Sequence, residues 1–184
     1  MKNTVQSVWL LLLVLLFNSG FAQYSLTPGK GFSQLYIGMQ TADVIALLGQ
    51  PETVTALADE RTSWEEAGYN TRTELPYLLG FDEVHVFAPN PFLAWKMYMK
   101  KDRLVFMALT SYMDFEAGMK KIDIQETLHF GDSWETIVKI LGPDFVARKR
   151  DADVSLNSYL KLGIALNMDE NQLRTVFIFA PLTP

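Results

Sequence analysis

Two histidines, no cysteine and a few neighbouring acids are the raw material for chemistry in this chain. Thiol catalysis and thiolate metal ligation are excluded at once. His85 lies in Glu83-Val84-His85-Val86-Phe87, where strand alternation directs it away from the face of Val84 and Val86. His129, in Leu128-His129-Phe130-Gly131, reads as a packing residue. Neither has a second histidine two or four residues away, the clustering that zinc sites usually show, so no metal ligand is assigned. No nucleophile elbow of the Gly-x-Ser-x-Gly kind is present. Pro28-Gly29-Lys30-Gly31 is followed by Phe32-Ser33, not by the Lys-Ser or Lys-Thr of a phosphate loop, and reads as a flexible segment. The acids of Glu65-Glu66 and Asp169-Glu170 are sequence neighbours in a loop or turn, a poor arrangement for facing one substrate. No catalytic residue and no cofactor is therefore expected. A carboxylate-dependent hydrolase is the least favoured alternative, because it needs acids from distant positions to converge in a cleft.

Aromatic side chains are the better clue. Trp64, Tyr69 and Tyr77 stand among charged residues in segment 59–80, and Trp95 and Tyr98 share a later segment. Trp95 falls in step with Met97 and Met99, a core face packed under a helix, which sends Tyr98 to the opposite face, read here as exposed. Trp64, Tyr69, Tyr77 and Tyr98 are the candidate protein-binding residues, since aromatics on a sheet face or flanking loop often anchor interfaces. Burial in a core is the competing reading for each.

The elements that would position these residues recur along the chain. Leu35-Tyr36-Ile37-Gly38 reappears as Leu128-His129-Phe130-Gly131. After the first, Val44, Leu47 and Leu48 form an apolar stripe at helical spacing; after the second, Ile137, Ile140 and Leu141 do the same. Asp132 or Ser133 can cap the second helix, whereas Gln40 or Thr41 starts the first less cleanly. Gly49 and Gly142 suit the helix ends, and Pro51 and Pro143 stop continuation. Each half then closes on a hairpin. Strand 95–99 turns at 100–103 and returns over 104–111, and alternation over 162–168 turns at 169–172 and returns over 173–179. Further strands are expected near 84–87 and 157–160, and near 52–55 and 144–148. Residues 88–91 read as a loop, and 114–127 as a connector with a short helix around Met119 and Ile122.

Residues 38–51, Gly-Met-Gln-Thr-Ala-Asp-Val-Ile-Ala-Leu-Leu-Gly-Gln-Pro, resemble the opening of small envelope domains typified by the outer-membrane assembly lipoprotein of the SmpA/OmlA type. Two such units in tandem resemble the β-lactamase inhibitor protein family. The resemblance implies an α+β fold of two tandem helix-plus-antiparallel-sheet repeats, β-lactamase-inhibitor-like, over 23–112 and 113–184; the alternative is one continuous sheet that both helices cover. It also implies a role in docking on another protein. The chain lacks both the lipidated cysteine of the first family and the disulfides of the second.

Residues 1–22 read as a secretory signal peptide: Lys2, an apolar run over 8–17, then small residues at Gly20 and Ala22. The run is too short to span a membrane, which takes roughly 20 residues, so no stable anchor is expected after cleavage. The remaining 162 of 184 residues carry a net charge of −6. Mild acidity argues against a nucleic-acid partner. The expected protein is periplasmic or secreted and non-catalytic, binding another envelope or secreted protein. It would serve as an inhibitor or immunity protein against an exported enzyme or, alternatively, as an outer-membrane assembly or structural factor. N-terminal sequencing of exported protein should begin at Gln23; intact Met1 in a membrane fraction that resists alkaline washing would show a retained anchor.

Overall fold

The computed structural model describes residues 26–90, 93–111, 123–125 and 128–182. The signal segment, Pro91 and most of the 114–127 connector, Met119 and Ile122 included, lie outside them. The chain opens with three short strands, β1 (Leu26–Thr27), β2 (Gly31–Phe32) and β3 (Leu35–Tyr36), that form a small meander. Phe32 and Leu35 are buried there. The expectation of a flexible segment at Pro28–Gly31 is thereby corrected. Gly31 passes so close to β3 that an added Cβ would lie 2.0 Å from the Leu35 carbonyl oxygen.

Helix α1 (Thr41–Leu48) and strand β4 (Thr53–Ala56) follow. Segment 59–80 then folds as α2 (Leu57–Glu66), a 3-10 turn (Thr71–Thr73) and α3 (Leu75–Leu79). Strands β5 (Glu83–Asn90), β6 (Leu93–Lys100) and β7 (Arg103–Ser111) come next. The rest comprises β8 (Asp123–Gln125), β9 (Leu128–His129), α4 (Trp134–Leu141), β10 (Val146–Lys149), β11 (Val154–Tyr159), β12 (Ile164–Asp169) and β13 (Gln172–Phe179). Residues 123–125 are thus a strand paired with β9. None of the described helices is long and apolar enough to cross a membrane.

Helix ends follow local chemistry. Ser133 is the N-cap of α4 and its Oγ accepts from the Thr136 N–H. Gln40 makes no such bond at the start of α1. Both hairpin turns are tighter than the sequence suggested. Lys101 and Asp102 both have positive φ, as do Glu170 and Asn171. Two positive φ values are what a two-residue type I′ turn demands, so the strands run on to Lys100 and Arg103, and to Asp169 and Gln172.

One antiparallel sheet of eight strands runs through the molecule in the order β10-β11-β12-β13-β7-β6-β5-β4. This overturns the expected β-lactamase-inhibitor-like arrangement of two tandem helix-plus-sheet repeats. Strand β7 pairs with β13 from Thr110↔Thr175 to Phe106↔Phe179, so both halves contribute to a single sheet and neither closes on its own. The physical reason is that a hairpin at the end of each half leaves an open strand edge, and each edge satisfies the other's backbone groups.

Both faces of the sheet are covered. On one lie Trp95, Met97, Met99, Met107, Leu166, Val176 and Ile178, under Val44 of α1, Ile137 of α4 and Phe32 and Leu35 of the meander. Trp95 therefore packs with Met97 and Met99 beside the first helix, as alternation indicates. On the other lie Val84, Tyr98, Phe106, Ala165, Phe177 and Phe179, with Leu75 and Phe81 from the insert. Phe106 touches both Phe177 and Phe179, at 5.6 and 6.0 Å between ring centroids. Phe106→Ala should lower unfolding free energy by about 3–5 kcal/mol in denaturant titration. A loss under about 1 kcal/mol would mean that the seam does not depend on this stack.

Candidate functional site

The insert α2–α3 lies on the second sheet face, and its position is fixed by charge as much as by apolar contact. Glu60 is the buried residue of α2. Its Oε1 accepts from Trp64 Nε1 one turn along at 2.9 Å and from Lys96 Nζ of β6 at 2.9 Å. Glu74, at the start of α3, is buried more deeply still. Its carboxylate receives Arg150, and Arg148 Nη1 lies 3.2 Å from Oε1. Arg148 also donates to the Thr73 carbonyl at 2.9 Å. One carboxylate ties the insert to an interior strand of the sheet and the other ties it to the sheet edge.

Between these ties runs a ladder of rings. Tyr69 packs on Trp64 at 5.3 Å between centroids, Trp64 on Tyr77 at 5.7 Å, Tyr77 on Phe81 at 5.2 Å and Phe81 on Tyr98 at 5.0 Å. All four sequence-derived candidates therefore belong to one contiguous array, but they occupy different depths. Tyr98 is 1% exposed and closes the array against Phe106; its expected exposure is corrected. Alternation placed it on the correct face, but the insert covers that face. Tyr69 is 43% exposed and forms the outer end. Cations flank the ladder: the Arg61 guanidinium lies 5.6 Å from the Tyr77 ring centroid, and Arg150 lies 5.6 Å from that of Tyr69.

The phenols respond to this setting. Burial, followed by the field of Glu60, pushes Tyr77 up to about 12, and among the described residues its hydroxyl has no hydrogen-bond partner. Burial, with Glu60 second, raises Tyr98 well above the ordinary phenol value. Both stay neutral through the physiological range.

Elsewhere, His85 is buried on the opposite sheet face with Nε2 2.7 Å from Glu83 Oε1. His129 is half-buried, and its backbone N–H donates to Asp132 Oδ2. No group of three or more His, Asp or Glu converges among the described residues. The residues that sequence reasoning missed are Glu60, Glu74, Lys96, Arg148 and Arg150. No local pattern links the two arginines to an acid more than seventy positions earlier.

No protein-family model and no curated protein matches the chain. Among solved structures, it is similar to an extracellular protein containing a SCP domain from Bacillus anthracis, at 11% identity and a TM-score of 0.45. That match covers 78% of this chain and 44% of the other. It is also similar to a cysteine-rich secretory protein from Staphylococcus aureus, at 12% identity and a TM-score of 0.45, over 85% of this chain and 48% of that one. The chain thus spans less than half the length of each.

The shift at Tyr77 has a definite sign. Below pH 10, folded and unfolded chains both hold the proton. Above 10 the unfolded phenol ionises first, so stability falls from there until about pH 12, where the folded group also ionises. Tyr77→Phe should flatten this part of the alkaline stability curve; an unchanged slope in urea titrations between pH 10 and 11.5 would contradict the assignment.

Proposed function

We propose that this chain is an exported, non-catalytic protein-binding module that docks through the outer face of the α2–α3 insert onto another envelope or secreted protein. The observation that carries the reading is Tyr69, exposed at the outer end of a ring ladder anchored in the core. A ring held this way loses little freedom on binding, so its burial is not offset by ordering entropy. Trp64 and Tyr77 brace it, and Arg150 stacks beside it as a second group common in interface anchors.

What favours docking over hydrolysis is the state of the acids. Glu60 and Glu74 are the buried carboxylates of this face, and both are held by cations, Glu60 by Lys96 and Glu74 by Arg148 and Arg150. A catalytic carboxyl must face its substrate, whereas these two are turned onto the protein's own cations beneath the insert. The preferred partner is a secreted or envelope enzyme, with this chain as inhibitor or immunity protein; the alternative is an outer-membrane assembly component. A neighbouring gene for a toxin or hydrolase favours the first, and one for an assembly component favours the second.

Affinity capture from the native envelope, with the chain from Gln23 onward as bait, should retain a defined partner. Tyr69→Ala should weaken that interaction by about 30-fold, or about 2 kcal/mol, with an unchanged circular dichroism spectrum. A bait that retains nothing above background, while a small molecule raises its melting temperature, would overturn the reading.

A further inference from the structure

Strand β10 is one edge of the eight-stranded sheet, and among the described residues it pairs with β11 alone. Half of its backbone N–H and C=O groups therefore point away from the sheet. Register fixes which side chains share a face. Val146 lies opposite Ser158, which continues through Ala165 to Phe177, and Arg148 lies opposite Leu156. Ala165, Phe177 and Leu156 belong to the core on the insert side. Val146 and Arg148 therefore face the same side as the insert, while Ala147, opposite Asn157 and Leu166, faces the other.

Each end of this edge carries a feature that an added strand could use. At the start is a groove of about 300 Å³ lined by Phe145, Val146, Leu160 and Leu182, with Ser158 and the Asp144–Lys161 pair also in its wall. Val146 is 59% exposed and Leu182 37%. That volume lies at the small end for ligand pockets and suits one or two apolar side chains. Just past the other end, Arg150 stacks on exposed Tyr69. Groove, open edge and aromatic outcrop line up along one strand on one face.

We propose that the β10 edge receives an extended segment of the partner protein as an added antiparallel or parallel strand. One apolar side chain enters the Val146–Leu182 groove, and the far end of the segment rests against Tyr69. The inference rests on the protein-binding reading above and adds its mode and the character of the bound segment. Lys149 is exposed on the edge, while the groove rim carries the neutral Asp144–Lys161 pair, so the segment carries an acid opposite Lys149 beside its apolar residues. The same lysine disfavours a second copy pairing edge to edge, which would bring two Lys149 side chains to one short edge. The opposite edge, β4, is as short and as exposed as β10, but no groove residue lies on it. Backbone pairing supplies affinity in such strand addition, and the pocket supplies specificity.

The test uses the chain from Gln23 onward and a capped peptide of about ten residues, alternating threonine with leucine and phenylalanine and ended by aspartates. Amide hydrogen exchange is followed by NMR. At saturation, exchange in residues 146–149 should slow at least about tenfold, while residues 53–56 stay unchanged. Val146→Glu and Leu182→Glu, both at exposed positions, should weaken the peptide about tenfold or more, and Val54→Glu on β4 should not. No binding at millimolar peptide, equal protection of both edges, or full affinity in both groove variants would overturn the inference. Protection of β10 that grows with protein concentration alone, which marks a second copy, would also overturn it. So would a groove that takes decanoate but not peptide. A captured partner that is lost with Tyr69→Ala but kept by both groove variants would sink strand addition and leave the docking reading standing.

Discussion

Strand β7 meets β13 along five consecutive residue pairs, and the rest of the architecture depends on that seam. It joins two sets of four strands into one sheet. On one face it brings Met107 beside Ile178, within the core that α1 and α4 cover. On the other it sets Phe106 against Phe177 and Phe179, and the Thr110 and Thr175 hydroxyls share a hydrogen bond at 3.1 Å. Without the seam, each set would expose a row of backbone groups and half of two cores. The helices and the insert have a surface to cover because the sheet is continuous.

The two faces are closed by different physics. The first is covered by amphipathic helices, with Val44 and Ile137 fully buried, and hydrophobic transfer suffices to hold them. The second is covered by α2–α3, whose buried residues include two glutamates. A carboxylate taken from water costs free energy unless cations and donors replace its hydration. Lys96, Trp64, Arg148 and Arg150 do so here, and they sit at defined places on the sheet. The insert is therefore held in one register: sliding it would strand both acids. That register places Tyr69 beside the end of β10.

This difference also explains what could be read in the sequence. The stripe Val44, Leu47, Leu48 and the stripe Ile137, Ile140, Leu141 announce α1 and α4, because Val44 and Ile137 are buried and Leu48, Ile140 and Leu141 pack against the same core; Leu47, expected in the stripe, is instead 43% exposed. Both hairpins are legible for the same reason, since Met97 and Leu166 alternate with their neighbours. Helix α2 is not legible: its inward-facing position is Glu60, which a hydrophobic pattern scores as solvent. With α2 unseen, Tyr98 has nothing to cover it, so its face is assigned correctly and its exposure is not. The pairing of β7 with β13 leaves no local trace, because either strand would look the same at the edge of a smaller sheet. The ring ladder was legible as residues and not as an array; Phe81, which bridges Tyr77 to Tyr98, is needed to join them.

The seam also imposes an order in time. Strand β7 emerges from the ribosome with its hairpin partner β6, but its other neighbour, β13, follows only after α4 and β10–β12 have been made. Until then β7 is a nine-residue edge carrying Leu104, Phe106, Met107 and Leu109, long and apolar enough to pair with another chain. Contacts this distant along the chain form slowly, because the intervening loop must close before any bond rewards it. The cell therefore gains from keeping the nascent chain unfolded until its last strand is available, and a chain truncated before β13 would be a template for aggregation, not a smaller folded unit.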